Sequence, residues 1–342
     1  MDMKIGVVGG GSWGTALSIV LAKKGYNVDL WVRNKEKQRI MSSTRENIDY
    51  LPGVILPNNV NVTADLSETI NDSKIILLAV PTHAVRDLCV QLGSNIQKDQ
   101  IFVNVAKGIE VGTLKRISEI VKEYFPENDF VALSGPTHAE EVSRDMPTTI
   151  VSACENESIA EFIQDVFITP KFRVYTNTDL IGVELGGALK NVIALGAGIA
   201  DGLGYGDNAK AALMNRGITE IARLGESLGA SKMTFTGLSG IGDLIVTCTS
   251  MHSRNRRAGI KIGEGMNLDE AIKSIGMVVE GVKTAKSVKA LMDRQKIDMP
   301  ICNKIYSVLY EKLDPKVAVT ELMTRDKKDE LEHMKETESF GW

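Results

Sequence analysis

The stretch KIGVVGGGSWGTALSIVLAKKG, residues 4–25, decides the fold. It opens with an apolar run of strand length, IGVV (5–8). It then passes through Gly9-Gly10-Gly11-Ser12-Trp13-Gly14 and continues as TALSIVLAKKG (15–25), whose apolar residues recur at helical spacing. A GxGxxG alone is a weak signal. Set between a strand and a helix, it marks the first turn of a βαβ unit that holds a dinucleotide. Gly9 allows the tight turn and Gly11 lets the backbone approach a pyrophosphate. Gly14 lets helix and strand pack closely, and the helix N-terminus offers N–H groups to the anion.

The pattern continues outward from this unit. VDLWV (28–32), IILLAV (75–80), IFVNV (101–105) and FVALS (130–134) read as further strands, separated by helix-period segments such as 113–125. Near-continuous apolar strands with helical crossovers predict a parallel sheet covered on both faces. TTIVSA (148–153) and FRVYT (172–176) extend that sheet. After about residue 178 the strand signal stops, and helical patterns cover 179–200, 207–228, 252–263, 280–294 and 299–311. The expected organisation is an α/β dinucleotide-binding domain over 1–178 and an all-α domain over 179–342. The charged end, 325–342, is expected to fray.

Composition sets the outer limits. The 342 residues are 43% apolar and 25% charged, ordinary for a globular protein of two domains. A net charge of −4 gives no global attraction to nucleic acid or acidic membrane, so any anion site is local. Cys89, Cys154, Cys248 and Cys302 form no CxxC pair and read as free buried thiols of a reducing cytoplasm. No metal motif, secretion signal or membrane-length apolar run is expected.

The second strand bears on which dinucleotide is bound. An acid at its end commonly holds the ribose hydroxyls of NAD. Here the strand ends in Arg33-Asn34, and Asp29 stands at the wrong end. An arginine at this place suits a 2′-phosphate, so NADP(H) is favoured over NAD(H). Ligands in such sheets bind beyond the carboxyl ends of the strands. Pro81-Thr82-His83, Lys107-Gly108 and Gly135-Pro136-Thr137 stand there. Lys107, between an apolar strand and a glycine, is a candidate contact for phosphate or carboxylate. Thr137 with Glu140 has the spacing of a capping box, which would start a helix at Thr137.

GGALKNVIALGAGIADG (186–202) poses a different question: why a small, apolar helix carries a lysine in its middle. Gly186, Gly187, Lys190, Ile193, Ala194 and Ala197 share one face. A lysine projecting from such a stripe either snorkels to water or faces a closed site between two domains. In a closed site, desolvation and nearby cations would lower its pKa. A neutral amine there can take the proton of a substrate hydroxyl, and the ammonium can return it. Farther on, GLSGIGDLIVTCTSMHSRNRR (237–257) carries Asp243, Thr247, Ser253, Arg254 and Asn255. Asp243 could orient Lys190 or bond a substrate hydroxyl, and Arg254 could bind a phosphate or carboxylate bidentately. His83 and His138 are weaker candidates for the base, and His252 and His333 look peripheral.

GGGSWGTALS (9–18), AKGIE (106–110), SGPTHAEE (134–141), 182–213, GDLIVTC (242–248), SRNRR (253–257) and VVEGV (278–282), in this order, resemble the bacterial, soluble NAD(P)-dependent glycerol-3-phosphate dehydrogenases. The resemblance implies a Rossmann-like domain followed by an all-helical one, in a 6-phosphogluconate-dehydrogenase-like arrangement. It also implies reversible hydride transfer between NAD(P)H and dihydroxyacetone phosphate, supplying glycerol 3-phosphate for phospholipid synthesis, and a possible homodimer. By the same resemblance Lys190 is the proton acceptor. Lys107, Gly135, Thr137, Asp243, Ser253, Arg254 and Asn255 are substrate contacts, and Asn191 and Thr247 line the pocket. Ser12, Trp13, Arg33, Lys107, Ala139, Arg254, Val278 and Glu280 are dinucleotide contacts, beside Gly9, Gly11 and Gly14. Relatives often carry His and then a charged residue where this chain has Arg33-Asn34. The competing expectations are another two-domain reductase of the β-hydroxyacid or ketopantoate type and a non-catalytic NADP(H) sensor.

Overall fold

The computed structural model of the chain describes residues 3–327, 329 and 330, so most of the segment expected to fray lies outside the described residues. The strands are β1 (Lys4–Val8), β2 (Asn27–Trp31), β3 (Glu46–Asn47), β4 (Leu51–Ile55), β5 (Val60–Thr63), β6 (Ser73–Leu78), β7 (Ile101–Asn104), β8 (Phe130–Ser134), β9 (Thr148–Ala153) and β10 (Phe172–Asn177). Among them run α1 (Ser12–Lys23), α2 (Lys35–Thr44), α3 (Leu66–Ile70), α4 (Val85–Leu92), α5 (Ile117–Tyr124), α6 (Ala139–Val142) and α7 (Glu157–Phe167). The helical half follows as α8 (Leu180–Gly202), α9 (Asp207–Ser227), α10 (Asp243–Thr249), α11 (Arg254–Gly263), α12 (Leu268–Ile275), α13 (Glu280–Gln295), α14 (Pro300–Tyr310) and α15 (Pro315–Met323).

Eight strands form one sheet in the order β10-β9-β8-β7-β6-β1-β2-β5. All neighbours in it are parallel except β8 and β9. The run from β5 to β8 is the doubly wound order of a Rossmann-like sheet, with the chain reversing its direction of travel between β1 and β6. The loops after those two strands therefore open into one crevice. The sheet's strands are buried on both faces. One apolar cluster packs it against α1 and α7, and another against α4 and α5. That double cover is why the strands read as apolar runs rather than alternating ones.

Each expected strand is present. The short elements β3, β4 and β5 were not foreseen. β4 is LPGVI, whose Pro and Gly argue against a strand; it survives as half of a small antiparallel hairpin with β3. The helix expected over 113–125 starts only at Ile117. Leu114 sits at φ +62° and the chain closes a turn from Glu110 to Lys115, so the helix cannot extend back through it. The capping box at Thr137 does not form. α6 begins at Ala139 with His138 at its N-cap, and the Thr137 hydroxyl donates to the Gly135 carbonyl at 3.0 Å. The helix expected over 252–263 begins at Arg254, where the Ser253 hydroxyl accepts from the Arg256 N–H at 3.2 Å.

α8 is the axis of the helical half. By length and composition it could cross a membrane, yet 89% of its apolar window is buried inside the molecule. Helices α9, α10, α11, α13 and α14 surround it, and its first turn joins the apolar cluster on the sheet through Leu180 and Val183. The glycines that disfavour a helix serve this packing. A Cβ on Gly198 would lie 2.1 Å from the Arg256 carbonyl oxygen. One on Gly259 would lie 2.2 Å from the Leu195 oxygen, so α8 and α11 touch backbone to backbone. Helix axes that close need residues without side chains at the crossing, which offsets the roughly 1 kcal/mol each glycine costs relative to Ala.

Candidate active site

The glycine turn after β1 has the form its sequence predicts. Gly9 takes φ +126°, and a Cβ on Gly14 would meet the Gly9 oxygen at 2.0 Å. A Cβ on Gly11 would meet nothing within 4 Å, so the space in front of the turn is clear. Gly11 is also the N-cap of α1, and no side chain caps that helix end. Uncapped N–H groups beside open space fit a pyrophosphate. Ser12 and Trp13 form the first helical residues, Trp13 packing partly against the core. Arg33 is exposed just beyond β2, and Asn34 beside it caps α2 by accepting from the Glu36 and Lys37 N–H groups. Asp29 is engaged elsewhere, paired with Lys4 at 2.7 Å.

The helical half meets the ligand edge of the sheet at α8. A Cβ on Gly187 would lie 2.6 Å from the Ser134 hydroxyl at the end of β8 and 3.4 Å from Cγ of Lys107 after β7. Because glycine has no such atom, α8 lies directly against both strand ends. One turn further along the same face is Lys190.

Lys190 is buried, and its Nζ donates to Asp243 Oδ1 and to the Thr247 hydroxyl, each at 2.5 Å. The other Asp243 oxygen accepts from Lys107 Nζ at 2.6 Å, and Lys107 also donates to the Gly135 carbonyl at 2.9 Å. One carboxylate thus bridges an amine from the sheet half to an amine from the helical half. Asp243 and Thr247 stand one turn apart on α10, which brings both to Lys190. Burial alone would raise the Asp243 carboxyl, but Lys107 and then Lys190 outweigh it and hold it below its ordinary range. For Lys190 burial wins. Loss of water brings its pKa down to about 8 against the opposing pull of Asp243, and the Lys107 charge adds to the lowering.

Around this triad stands a second polar chain. Asn255 donates to the Asn191 side-chain oxygen at 2.9 Å and accepts from the Gly281 N–H at 2.9 Å, tying α8, α11 and α13 together. Arg254 is half-buried, yet its side chain makes no hydrogen bond or ion pair among the described residues. Burial lowers its pKa, opposed by the charges of Glu280 and Glu140. Glu280, the first residue of α13, has its pKa raised by burial, and the Thr82 N–H contacts it at 3.4 Å across the two halves. Val278 is half-buried just before it, and Ala139 is buried at the start of α6.

Other features of the site were not read from the sequence, although His138 itself was a candidate. The pairing of Lys107 with Asp243 spans 136 residues, which no local signal reports. The Ser134 hydroxyl is buried without a hydrogen-bond partner, and so is His138 Nε2. The His138 ring packs on His252 with centroids 5.5 Å apart, so His252 is less peripheral than expected. Burial first, and the Lys190 charge second, keep the His138 pKa below its ordinary value. Ser143, Arg144 and the acidic side chains of α6 lie on the turn beyond it.

A doubly wound sheet with a glycine turn shaped for a dinucleotide, joined to a helical half that presents a buried, low-pKa lysine at the sheet's ligand edge, defines a two-domain oxidoreductase dependent on a pyridine nucleotide. Two family models match the chain: the N-terminus of NAD-dependent glycerol-3-phosphate dehydrogenase over residues 4–160 and its C-terminus over 179–320. The chain belongs to this family. It is 56% identical to the glycerol-3-phosphate dehydrogenase [NAD(P)+] of Thermoanaerobacter sp., over 96% of this chain and 99% of the relative. It is 54% identical to that of Clostridium tetani, over 94% of this chain and 93% of the relative. Among solved structures, glycerol-3-phosphate dehydrogenase from Coxiella burnetii superposes with a TM-score of 0.92 at 37% identity, covering 95% of this chain and 99% of that one. The family matched is not that of the ketopantoate-type reductases.

Proposed function

We propose that the chain catalyses sn-glycerol 3-phosphate + NAD(P)+ ⇌ dihydroxyacetone phosphate + NAD(P)H + H+, with Lys190 as the proton acceptor and donor. The observation that carries this reading is the buried Lys190 amine, held at the meeting of the two halves with a pKa lowered to about 8. When bound, the nicotinamide takes up or gives the hydride. The chain's own residues handle the proton and the phosphate. In the oxidative direction the neutral Lys190 amine takes the proton of the substrate hydroxyl as the hydride leaves the same carbon. In the reductive direction the ammonium polarises the carbonyl and returns the proton. Asp243 keeps the amine aimed in both protonation states, and Lys107 adds positive charge where the oxygen becomes negative.

The uncommitted guanidinium of Arg254 is the phosphate grip, with the Ser253 hydroxyl, Asn255, Gly135 and Thr137 around it. Asn191 and Thr247 shape the wall of the pocket. A bound dinucleotide would be held by Gly9, Gly11, Ser12, Trp13 and Gly14, with Ala139, Val278, Glu280, Lys107 and Arg254 as further contacts. Arg33, exposed beyond β2 where no acid is available for a ribose, favours NADP(H). Reduction supplies glycerol 3-phosphate for phospholipid synthesis in the cytoplasm, a compartment that suits four free, buried thiols. The division between the nucleotide half and the substrate half falls at 178/179, each half lending residues to the other's ligand, and the working unit is a homodimer.

Steady-state oxidation of NADPH and of NADH with dihydroxyacetone phosphate tests the reading. Turnover with that ketone, higher kcat/KM for NADPH than for NADH, and none with ketopantoate are expected. Tight NADPH binding without turnover of any carbonyl would replace the enzyme by a sensor.

A further inference from the structure

The last turn of α8 holds a charged cluster that the reaction does not use. Asp201 Oδ1 forms an ion pair with Lys210 Nζ at 2.7 Å, and Oδ2 accepts from Arg256 Nε at 2.8 Å. All three side chains are only 13–14% exposed. The rest of the Arg256 guanidinium does not stop at this pair. Its Nη1 donates to the Thr249 carbonyl at 2.7 Å and lies 3.1 Å from Sδ of Met251. Arg256 therefore ties the end of α8 to the turn 249–253, the segment that ends in the Ser253 cap and delivers Arg254.

The same helix face grips the start of α11 a second way. Gly198, one turn before Asp201, lets the Arg256 carbonyl come within 2.1 Å of where a Cβ would be. Backbone contact at 198 and charge at 201 together fix where α11 begins. This matters because the Arg254 side chain has no protein partner of its own among the described residues to hold it. Its aim depends on the backbone that carries it.

We propose that Asp201 is a positioning residue for phosphate recognition: clamped between Lys210 and Arg256, its carboxylate sets the turn 249–253 and so the direction in which Arg254 meets the substrate's phosphate. The inference rests on the reading of Arg254 as the phosphate grip. Asp201 is the carboxylate that both cations share; the exposed Asp207 reaches only Lys210, at 3.8 Å, so a neutral residue at 201 leaves the Arg256 guanidinium without its counter-charge and facing Lys210 with little water between them. The guanidinium then loses its reason to hold the Thr249 carbonyl. A planar fork binds the carboxylate and the carbonyl at once, which a lysine at 256 would not do.

The test compares Asp201→Asn, Arg256→Lys and Arg254→Ala with the parent enzyme, using NADPH and either dihydroxyacetone phosphate or unphosphorylated dihydroxyacetone. Asp201→Asn and Arg256→Lys are expected to raise KM for the phosphorylated ketone on the order of tenfold with kcat nearly kept, since a small misplacement of a binding group is costly. Activity toward dihydroxyacetone should not change, because it has no phosphate to misplace. A merely structural role would lower both activities alike, and that result would overturn the proposal, as would an unchanged KM. Should Asp201→Asn fail to fold, Arg256→Lys, which keeps the charge, decides by the same readout. If Arg254→Ala discriminates against the phosphate and the other two do not, the inference falls alone. If Arg254→Ala does not discriminate, the reading of the grip fails and takes the inference with it.

Discussion

Burial strips water from the Lys190 amine and lowers its pKa to about 8, while the neighbouring Asp243 opposes the shift and Lys107 reinforces it. This balance has a measurable consequence for turnover. Oxidation of glycerol 3-phosphate needs the neutral amine, so its kcat should rise with pH and level off above about 8. Reduction needs the ammonium, so its kcat should fall over the same range. pH–rate profiles in both directions check the sign; a flat profile between pH 7 and 9 would detach Lys190 from the proton. Asp243→Asn removes an influence that raises this pKa, so the break should move to lower pH. The same variant leaves the buried Lys190 amine and the half-buried Lys107 amine without their counter-charge, and the loss of stability should be on the order of 3 kcal/mol by denaturant titration. At this scale the sequence shows Lys190 plainly, because a charge on a stripe of glycine and alanine has no place in an ordinary core. It also shows Asp243 as a candidate partner. It does not show that Lys107 shares the same carboxylate, since that contact is made by folding two halves together.

The crossing of α8 and α11 shows why so much glycine is tolerated in one helix. Gly198→Ala places a methyl 2.1 Å from the Arg256 carbonyl oxygen, backbone that cannot swing away as a side chain would. It should destabilise the protein by about 1–3 kcal/mol, the usual range for overpacking, measured as a fall in unfolding free energy. A second element-level device is the start of α14. Glu220 on α9 is buried, and its two oxygens accept from the Ile301 and Cys302 N–H groups at 2.8 and 3.0 Å. Glu220→Ala should cost about 1–3 kcal/mol, the penalty for orphaning buried donors. Burial raises the Glu220 carboxyl to about 7, so the folded state holds that proton more tightly than the unfolded one. This group's contribution to stability should therefore decline as pH rises from about 4.5 to 7. The helix and strand periods of the main elements were readable because each buries a continuous face. The hairpin of β3 and β4 was not, because two- and five-residue strands with Pro and Gly carry no period. The start of α5 was misread because Leu114 adopts a left-handed conformation that its side chain does not announce.

The whole molecule places a nucleotide turn on one half and an acid–base lysine on the other, and the site exists only where they meet. The sheet covered on both faces and the helical second half followed from alternation of short apolar runs with helical patterns; the order of the strands, the crevice between β1 and β6 and the antiparallel pairing of β8 with β9 did not. The meeting itself depends on Gly187 bringing α8 against the strand ends, while Gly186 admits the backbone of Ser239 and Gly240, which composition hints at but does not locate. Because the two tasks sit on separate halves, they should separate in variants. Arg33→Glu should lower kcat/KM for NADPH far more than for NADH while leaving the KM for dihydroxyacetone phosphate in place, checked by steady-state kinetics with each nucleotide. The most direct measurement is made on Lys190→Ala: kcat for dihydroxyacetone phosphate reduction alongside the NADPH dissociation constant by fluorescence. The expected result is a kcat lower by on the order of 10²–10⁴-fold with NADPH affinity retained. Turnover close to that of the parent enzyme would contradict the account.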